Sequence, residues 1–211
     1  DHEDEEVRAA IEGVAGEDVI WVPRAGEDAQ EVARRMASVI GTRIGWKDME
    51  TDVVWPGRSM DRTNWSGAEL VLSAAHNSES LSHDLGRLGS ERHVLVVGMT
   101  QKEDLSESIE PLLNSEGRIR TIVTEVHGGR TPSVPAEELS EHLSTSSEGP
   151  PLLIVEPIEA IDTAARVASI SEEECIVYMT GSVYLVGQAV REIVAREKDD
   201  LWKYLESHPS R

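Results

Sequence analysis

The sequence predicts an α/β protein with a Rossmann-like, doubly wound, mostly parallel sheet of about six strands flanked by helices. Short apolar runs rich in β-branched residues recur along the chain and are polar on neither face, as suits strands covered on both sides. Between the runs, apolar residues take up a helical period, and alternating strand and helix implies right-handed crossovers. The length of 211 residues, 39% of them apolar, provides one domain of about 150 residues with an appendage, too little for two full cores.

Residues 1–45 read as a lead-in segment. It holds an acidic helix around Glu5–Val14, a strand-like run Val19–Val22, and a helix from Glu27 to Ile40 with Val32, Met36, Val39 and Ile40 along one side. Gly41–Arg58 reads as the connector. The main domain, 46–196, has strands at Glu69–Leu72, Val94–Val97, Ile122–Val123 with flanking threonines, Leu152–Val155 and Ile176–Met179. Its helices show as stripes: Leu105, Ile109, Leu112 and Leu113; then Ile158, Ile161, Ala165 and Ala168; then Val183, Val186, Val190, Ile193 and Val194. Ser144–Pro151 has the composition of a surface loop, and 197–211 is a charged tail.

Charge bounds the function. Forty acidic against 20 basic residues give a formal −20, which repels a phosphate backbone and excludes nucleic acid as a partner. The basic residues are 16 Arg and only 4 Lys, Phe is absent, and the acids are spread along the chain. That pattern fits a salt-adapted, halophilic surface, whose self-repulsion is screened over about 3 Å at 1 M salt, and also a merely acidic mesophilic protein. No apolar run approaches the roughly 20 residues that span a bilayer, and the N-terminus is acidic, so the expectation is a cytoplasmic protein with no membrane partner. The one cysteine, Cys175, lies in an apolar run and reads as a buried, inert thiol.

In an open parallel sheet, ligands bind outside the carboxyl ends of the strands. After Leu72 comes Ser73-Ala74-Ala75-His76-Asn77; after Val97, Gly98-Met99-Thr100-Gln101-Lys102-Glu103-Asp104; after Val123, a stretch through His127 to Arg130; after Met179, Thr180-Gly181-Ser182. Gly181-Ser182 at a helix start offers free N–H groups to an anion, while Ser182 as a plain N-cap explains the same residues. Lys102 at a strand end suits a carboxylate or phosphate, unless it pairs with Glu103 or Asp104. His76 fits either a hydrogen-bonding role at the site or a structural one. No Gly-x-x-x-x-Gly-Lys-Ser/Thr, no Gly-x-Gly-x-x-Gly and no metal-ligand spacing occurs, so the chain has no phosphate loop of its own.

In order and spacing, Val54-Trp55-Pro56-Gly57-Arg58, Leu70 to Asn77, Val96 to Asp104 and Thr180-Gly181-Ser182-Val183-Tyr184-Leu185-Val186-Gly187 resemble the C-terminal domain of folylpolyglutamate synthase/dihydrofolate synthase, a branch of the Mur ligase superfamily. The resemblance covers about residues 50–196. It implies a glutamate ligase domain that works beside a P-loop ATPase domain absent from this chain. ATP and Mg are bound mainly by that absent domain. A folate or dihydropteroate carboxyl becomes an acyl phosphate, which the amine of L-glutamate attacks. The resemblance further implies ATP contacts for Arg58, for the Ser73 position and for Asp28. It implies glutamate contacts for His76, Asn77, Lys102, Asp104 and Ser182. No residue is assigned as catalytic, and the isolated chain is expected to be inactive.

Two departures accompany the resemblance. The family has an aspartate, and usually a glycine, where this chain has Ser73 and Ala74. Losing an ionic acceptor there costs about 1.5–3 kcal/mol, roughly 10- to 150-fold in nucleotide affinity. The ATPase domain is represented only by what resembles its last strand and helix at about residues 17–45, and the expectation is a piece of a longer protein. The competing expectation is a non-catalytic binding or regulatory module that kept the fold.

Overall fold

The structure is a computed structural model that describes residues 5–15, 19–21, 29–45, 56–58, 60–144 and 149–197. The chain divides into two compact units, Asp1–Asp52 and Val53–Arg211. No helix among the described residues is long and apolar enough to cross a membrane.

The first unit holds α1 (Glu5–Ala15) and α2 (Ala29–Ile44). The Trp21 indole donates to Glu12 Oε1 at 2.7 Å, and the Arg8 guanidinium lies 4.7 Å from the centre of that ring. The strand expected at Val19–Val22 does not form over Val19–Trp21, and Val22 lies outside the described residues. A lone four-residue run has no ladder to join among the described residues of this unit, which carry no strand. The second helix continues past Ile40, so Gly41–Ile44 are helical and not connector. Gly45, at φ +75°, is the first residue able to turn the chain out of the helix.

The second unit contains β1 (Asp61–Trp65), β2 (Ala68–Leu72), α3 (Ser78–Leu88), β3 (His93–Val97), α4 (Leu105–Leu113), β4 (Arg118–Val123), α5 (Ala136–Leu143), β5 (Leu152–Leu153), α6 (Pro157–Ser169), β6 (Ile176–Thr180) and α7 (Val183–Glu197). The sheet order is β1-β2-β6-β3-β4-β5, parallel throughout except for the β1–β2 hairpin. The expected α/β fold with a six-stranded, mostly parallel sheet is therefore present.

The central strands β2, β3 and β6 are buried on both faces except Glu69, which is why they read as apolar runs. Alternate residues feed two cores. Leu70, Leu72, Val94, Val96, Val177 and Met179 pack with Ala160, Ile161 and Ala164 of α6 and with Leu185, Val186 and Ala189 of α7. Val71, Leu95, Val97 and Tyr178 point the other way, onto Leu81 of α3, Ile109 and Leu112 of α4, and Leu139 of α5. β5 is shorter than the expected Leu152–Val155, and both of its leucines are exposed at the sheet edge. Ile154 N–H still donates to Val123 at 3.0 Å and Glu125 N–H to Val155 at 3.2 Å, continuing the pairing irregularly.

Candidate functional site

The topology makes one end of the sheet special. The chain leaves β2 and β3 toward α3 and α4 on one face, then leaves β6, which lies between them, toward α7 on the other. Loops diverging from neighbouring parallel strands open the crevice in which such sheets bind ligands. Three helices, α3, α4 and α7, begin at this edge, so their positive dipole ends gather there.

The crevice floor is tight. Ser73 N–H donates to Met179 O at 2.9 Å, Gly181 N–H to Ala75 O at 2.9 Å, and Gly98 N–H to Thr180 O at 3.4 Å. Gly181, at φ +107°, passes so close to β3 that a Cβ would lie 2.5 Å from Gly98 O. Gly57, at φ +78°, donates its N–H to Asp61 Oδ2 at 2.6 Å and accepts from Ala74 N–H at 2.7 Å, which moors the Pro-Gly-Arg turn at the end of β2.

The candidate side chains divide by what they already hold. Asn77 is the N-cap of α3: its Oδ1 accepts from Ser80 N–H at 2.9 Å in a capping box. Asp104 caps α4, accepting from Glu107 N–H at 2.9 Å, so it is not a partner for Lys102. Ser182 is nearly fully buried, and its Oγ accepts from Tyr184 N–H at 3.2 Å in the first turn of α7. Each of these side chains is therefore already engaged with its own helix.

His76, Lys102 and Arg58 are differently placed. His76 Nδ1 donates to Ala74 O at 2.9 Å, which fixes the tautomer of the neutral ring and leaves Nε2 as its acceptor. Lys102 is partly buried without an ion pair among the described residues, and burial pulls its ammonium below the usual lysine range. Arg58 is exposed on the turn beside Ala74. Asp28 lies outside the described residues. Three helix starts, a lysine and an imidazole thus border one crevice, and groups of this kind interact favourably with anions.

Ser73 does not face the crevice. It is fully buried, its hydroxyl donates to Asp84 Oδ2 at 2.6 Å, its Oγ accepts from Ala75 N–H at 3.2 Å, and Thr180 Oγ1 stands 3.1 Å away. Asp84, on α3, is a residue that the strand-end reasoning passes over. Beside this cluster lies Tyr178, fully buried, its ring edge-on to His93 at 5.8 Å. Its hydroxyl has no hydrogen-bond partner among the described residues; the Ser73 and Thr180 hydroxyls face it without bonding geometry.

Burial pushes the Tyr178 phenol up to about 12, against the nearby hydroxyls. Since the folded value exceeds the unfolded value near 10, its contribution is intact below pH 10 and is lost as pH rises through about 12. Tyr178→Phe is expected to leave Tm at pH 7 unchanged or higher, because it removes an unpaired buried hydroxyl. It should also retain about 2–3 kcal/mol that the parent loses between pH 10 and 12. Urea unfolding across that pH range checks both statements.

No family model and no curated protein sequence matches the chain. Solved structures do. Mycobacterium tuberculosis folylpolyglutamate synthase complexed with ADP superposes with a TM-score of 0.61 at 19% identity, over 79% of this chain and 40% of that one. Escherichia coli FolC in complex with DHPP and ADP gives 0.57 at 20%, over 85% and 41%. A bifunctional folylpolyglutamate synthase/dihydrofolate synthase with Mn, AMPPNP and L-glutamate bound gives 0.50 at 21%, over 66% and 32%. The chain thus spans about two fifths, or less, of the length of the structures it matches. It has a fold found within folylpolyglutamate synthase/dihydrofolate synthase structures.

Proposed function

We propose that this chain is the C-terminal, glutamate- and nucleotide-contacting domain of an ATP-dependent folate:L-glutamate ligase, forming an amide through an acyl phosphate only together with a P-loop domain. The observation that carries the reading is Lys102: a partly buried ammonium without a carboxylate partner among the described residues, at the carboxyl edge of a chain of formal charge −20. The folate branch supplies the substrate class, since matching structures were solved with L-glutamate, with DHPP and with adenine nucleotides. Arg58 suits a nucleotide phosphate by exposure and position. Following the resemblance, Mg and most of the ATP contacts are assigned to the P-loop domain.

The domain's work is orientation and electrostatics. Helix starts and Lys102 hold the amino acid's carboxylates, leaving its amine directed at the acyl phosphate. Lys102→Ala is expected to weaken L-glutamate binding about tenfold at low salt, less at molar salt. NMR titration checks this, with the P-loop domain supplied in a parallel sample; no glutamate or nucleotide binding in either sample would remove the reading. The inward-turned Ser73 hydroxyl favours a second reading, a binding or regulatory module that kept the fold after nucleotide contact was lost. Glutamate binding with no nucleotide-induced shift of this chain's own resonances, even beside the P-loop domain, would select it.

A further inference from the structure

In so acidic a chain, cations lacking a partner stand out. Among the described residues, Arg58, Lys102, Arg130 and Arg191 are the lysines and arginines without a hydrogen-bond, ion-pair or ring partner. Arg191 lies within α7. The other three stand on loops at the carboxyl edge of the sheet.

The loop after β4 is bound to the loop that carries Lys102. Thr100 and Ser133 form an antiparallel bridge, flanked by Gln101 N–H donating to Pro132 O at 2.9 Å and Val134 N–H to Met99 O at 2.8 Å. These contacts join the two loops two residues before Lys102 and three residues after Arg130. Gly129 is wedged in place: a Cβ there would lie 3.4 Å from Thr100 Cγ2 and 3.4 Å from Tyr184 Cδ2. Arg130 therefore follows a residue that touches both the Lys102 loop and the first turn of the Ser182-capped helix. Ser133 Oγ accepting from Val126 N–H at 2.8 Å, and the Gln188 amide donating to His127 O at 2.8 Å, brace the rest of the loop.

We propose that Arg130 determines specificity at this edge, joining Lys102 on the distal carboxylate of a dicarboxylic amino acid. This rests on the reading of the edge as a glutamate subsite. A helix start can hold one carboxylate; a second needs its own donors, and an ammonium and a guanidinium fork reaching from two joined loops supply them. A neutral amide in the same place leaves both cations unneutralised, so the pair also rejects glutamine.

The test is NMR titration of L-glutamate and L-glutamine into the 211-residue chain and its Arg130→Ala, Arg130→Lys and Lys102→Ala variants at low salt. Arg130→Ala is expected to weaken L-glutamate about 5- to 10-fold while changing L-glutamine less than about twofold, and Arg130→Lys to restore part of the loss. If Lys102→Ala weakens glutamate but Arg130→Ala alters neither ligand, or both equally, the inference fails and the subsite reading stands. If the unaltered chain binds no glutamate, alone or with the P-loop domain supplied, both fail.

Discussion

Trp65→Ala is expected to destabilise the second unit by about 3–5 kcal/mol, lowering Tm by about 6–20 °C. Trp65 is the single buried residue of β1, which otherwise presents Asp61, Arg62, Thr63 and Asn64 at or near the surface. Its ring therefore anchors the strand to the core. The indole N–H donates to Asp162 Oδ1 of α6 at 2.7 Å, and the Arg196 guanidinium of α7 lies 4.2 Å above the ring. Arg196 in turn reaches Asp162 at 3.3 Å and Glu192 at 2.9 Å. Partial burial works against ionisation of Asp162, yet hydrogen bonds from Arg196 and Trp65 hold its carboxyl below the usual value. Because those ion pairs are largely exposed, the ring should carry most of the energy. Trp65→Phe, which keeps a ring but loses the N–H, should then cost about 1–2 kcal/mol beyond its smaller volume change. Equal losses for Trp65→Phe and Trp65→Ala in urea unfolding would show that the polar contacts, not the ring, anchor β1.

The same strand shows where sequence reasoning stops. β2, β3 and β6 are legible because burial on both faces demands apolar residues at every position. β1 is not, since an edge strand with one buried residue leaves no period to read. What specifies it is the turn that follows: Ser66 and Gly67 both take positive φ, +52° and +89°, the geometry of a two-residue hairpin. α3 and α5 had their signal, with Leu81, Leu85 and Leu88 on one face and Ala136, Leu139 and Leu143 on another. Serines through the first and the short length of the second masked it. At the site, the strand-end rule located the right edge of the sheet but could not tell which way a side chain turns. Ser73 turns inward because α3 returns Asp84 to it 11 residues later. Asn77 and Asp104 carry ordinary capping patterns, with Ser80 and Glu107 three residues on, and those patterns account for their side chains before any ligand is considered.

Gly181→Ala is expected to cost about 3 kcal/mol or more and to weaken every ligand of the carboxyl edge together. Two independent penalties meet at this residue. At φ +107° the backbone occupies a region that side-chain-bearing residues avoid, worth about 1–3 kcal/mol. The added Cβ would also lie 2.5 Å from Gly98 O and 3.1 Å from Met99 Cγ. The methionine can shift, but the carbonyl cannot easily do so, because Gly98 N–H is bonded to Thr180 O while Gly181 N–H is bonded to Ala75 O. Relief therefore requires the ends of β3 and β6 to part, carrying the Lys102 loop away from the start of α7. Gly187, in α7 with open space about its Cα, provides the control: Gly187→Ala should be neutral or stabilise by up to about 1 kcal/mol. Urea unfolding and glutamate titration of both variants separate strain from site damage. A Gly181→Ala protein as stable as the parent would mean that the strand ends can separate at little cost, and the tight floor would then have no part in holding the site's geometry.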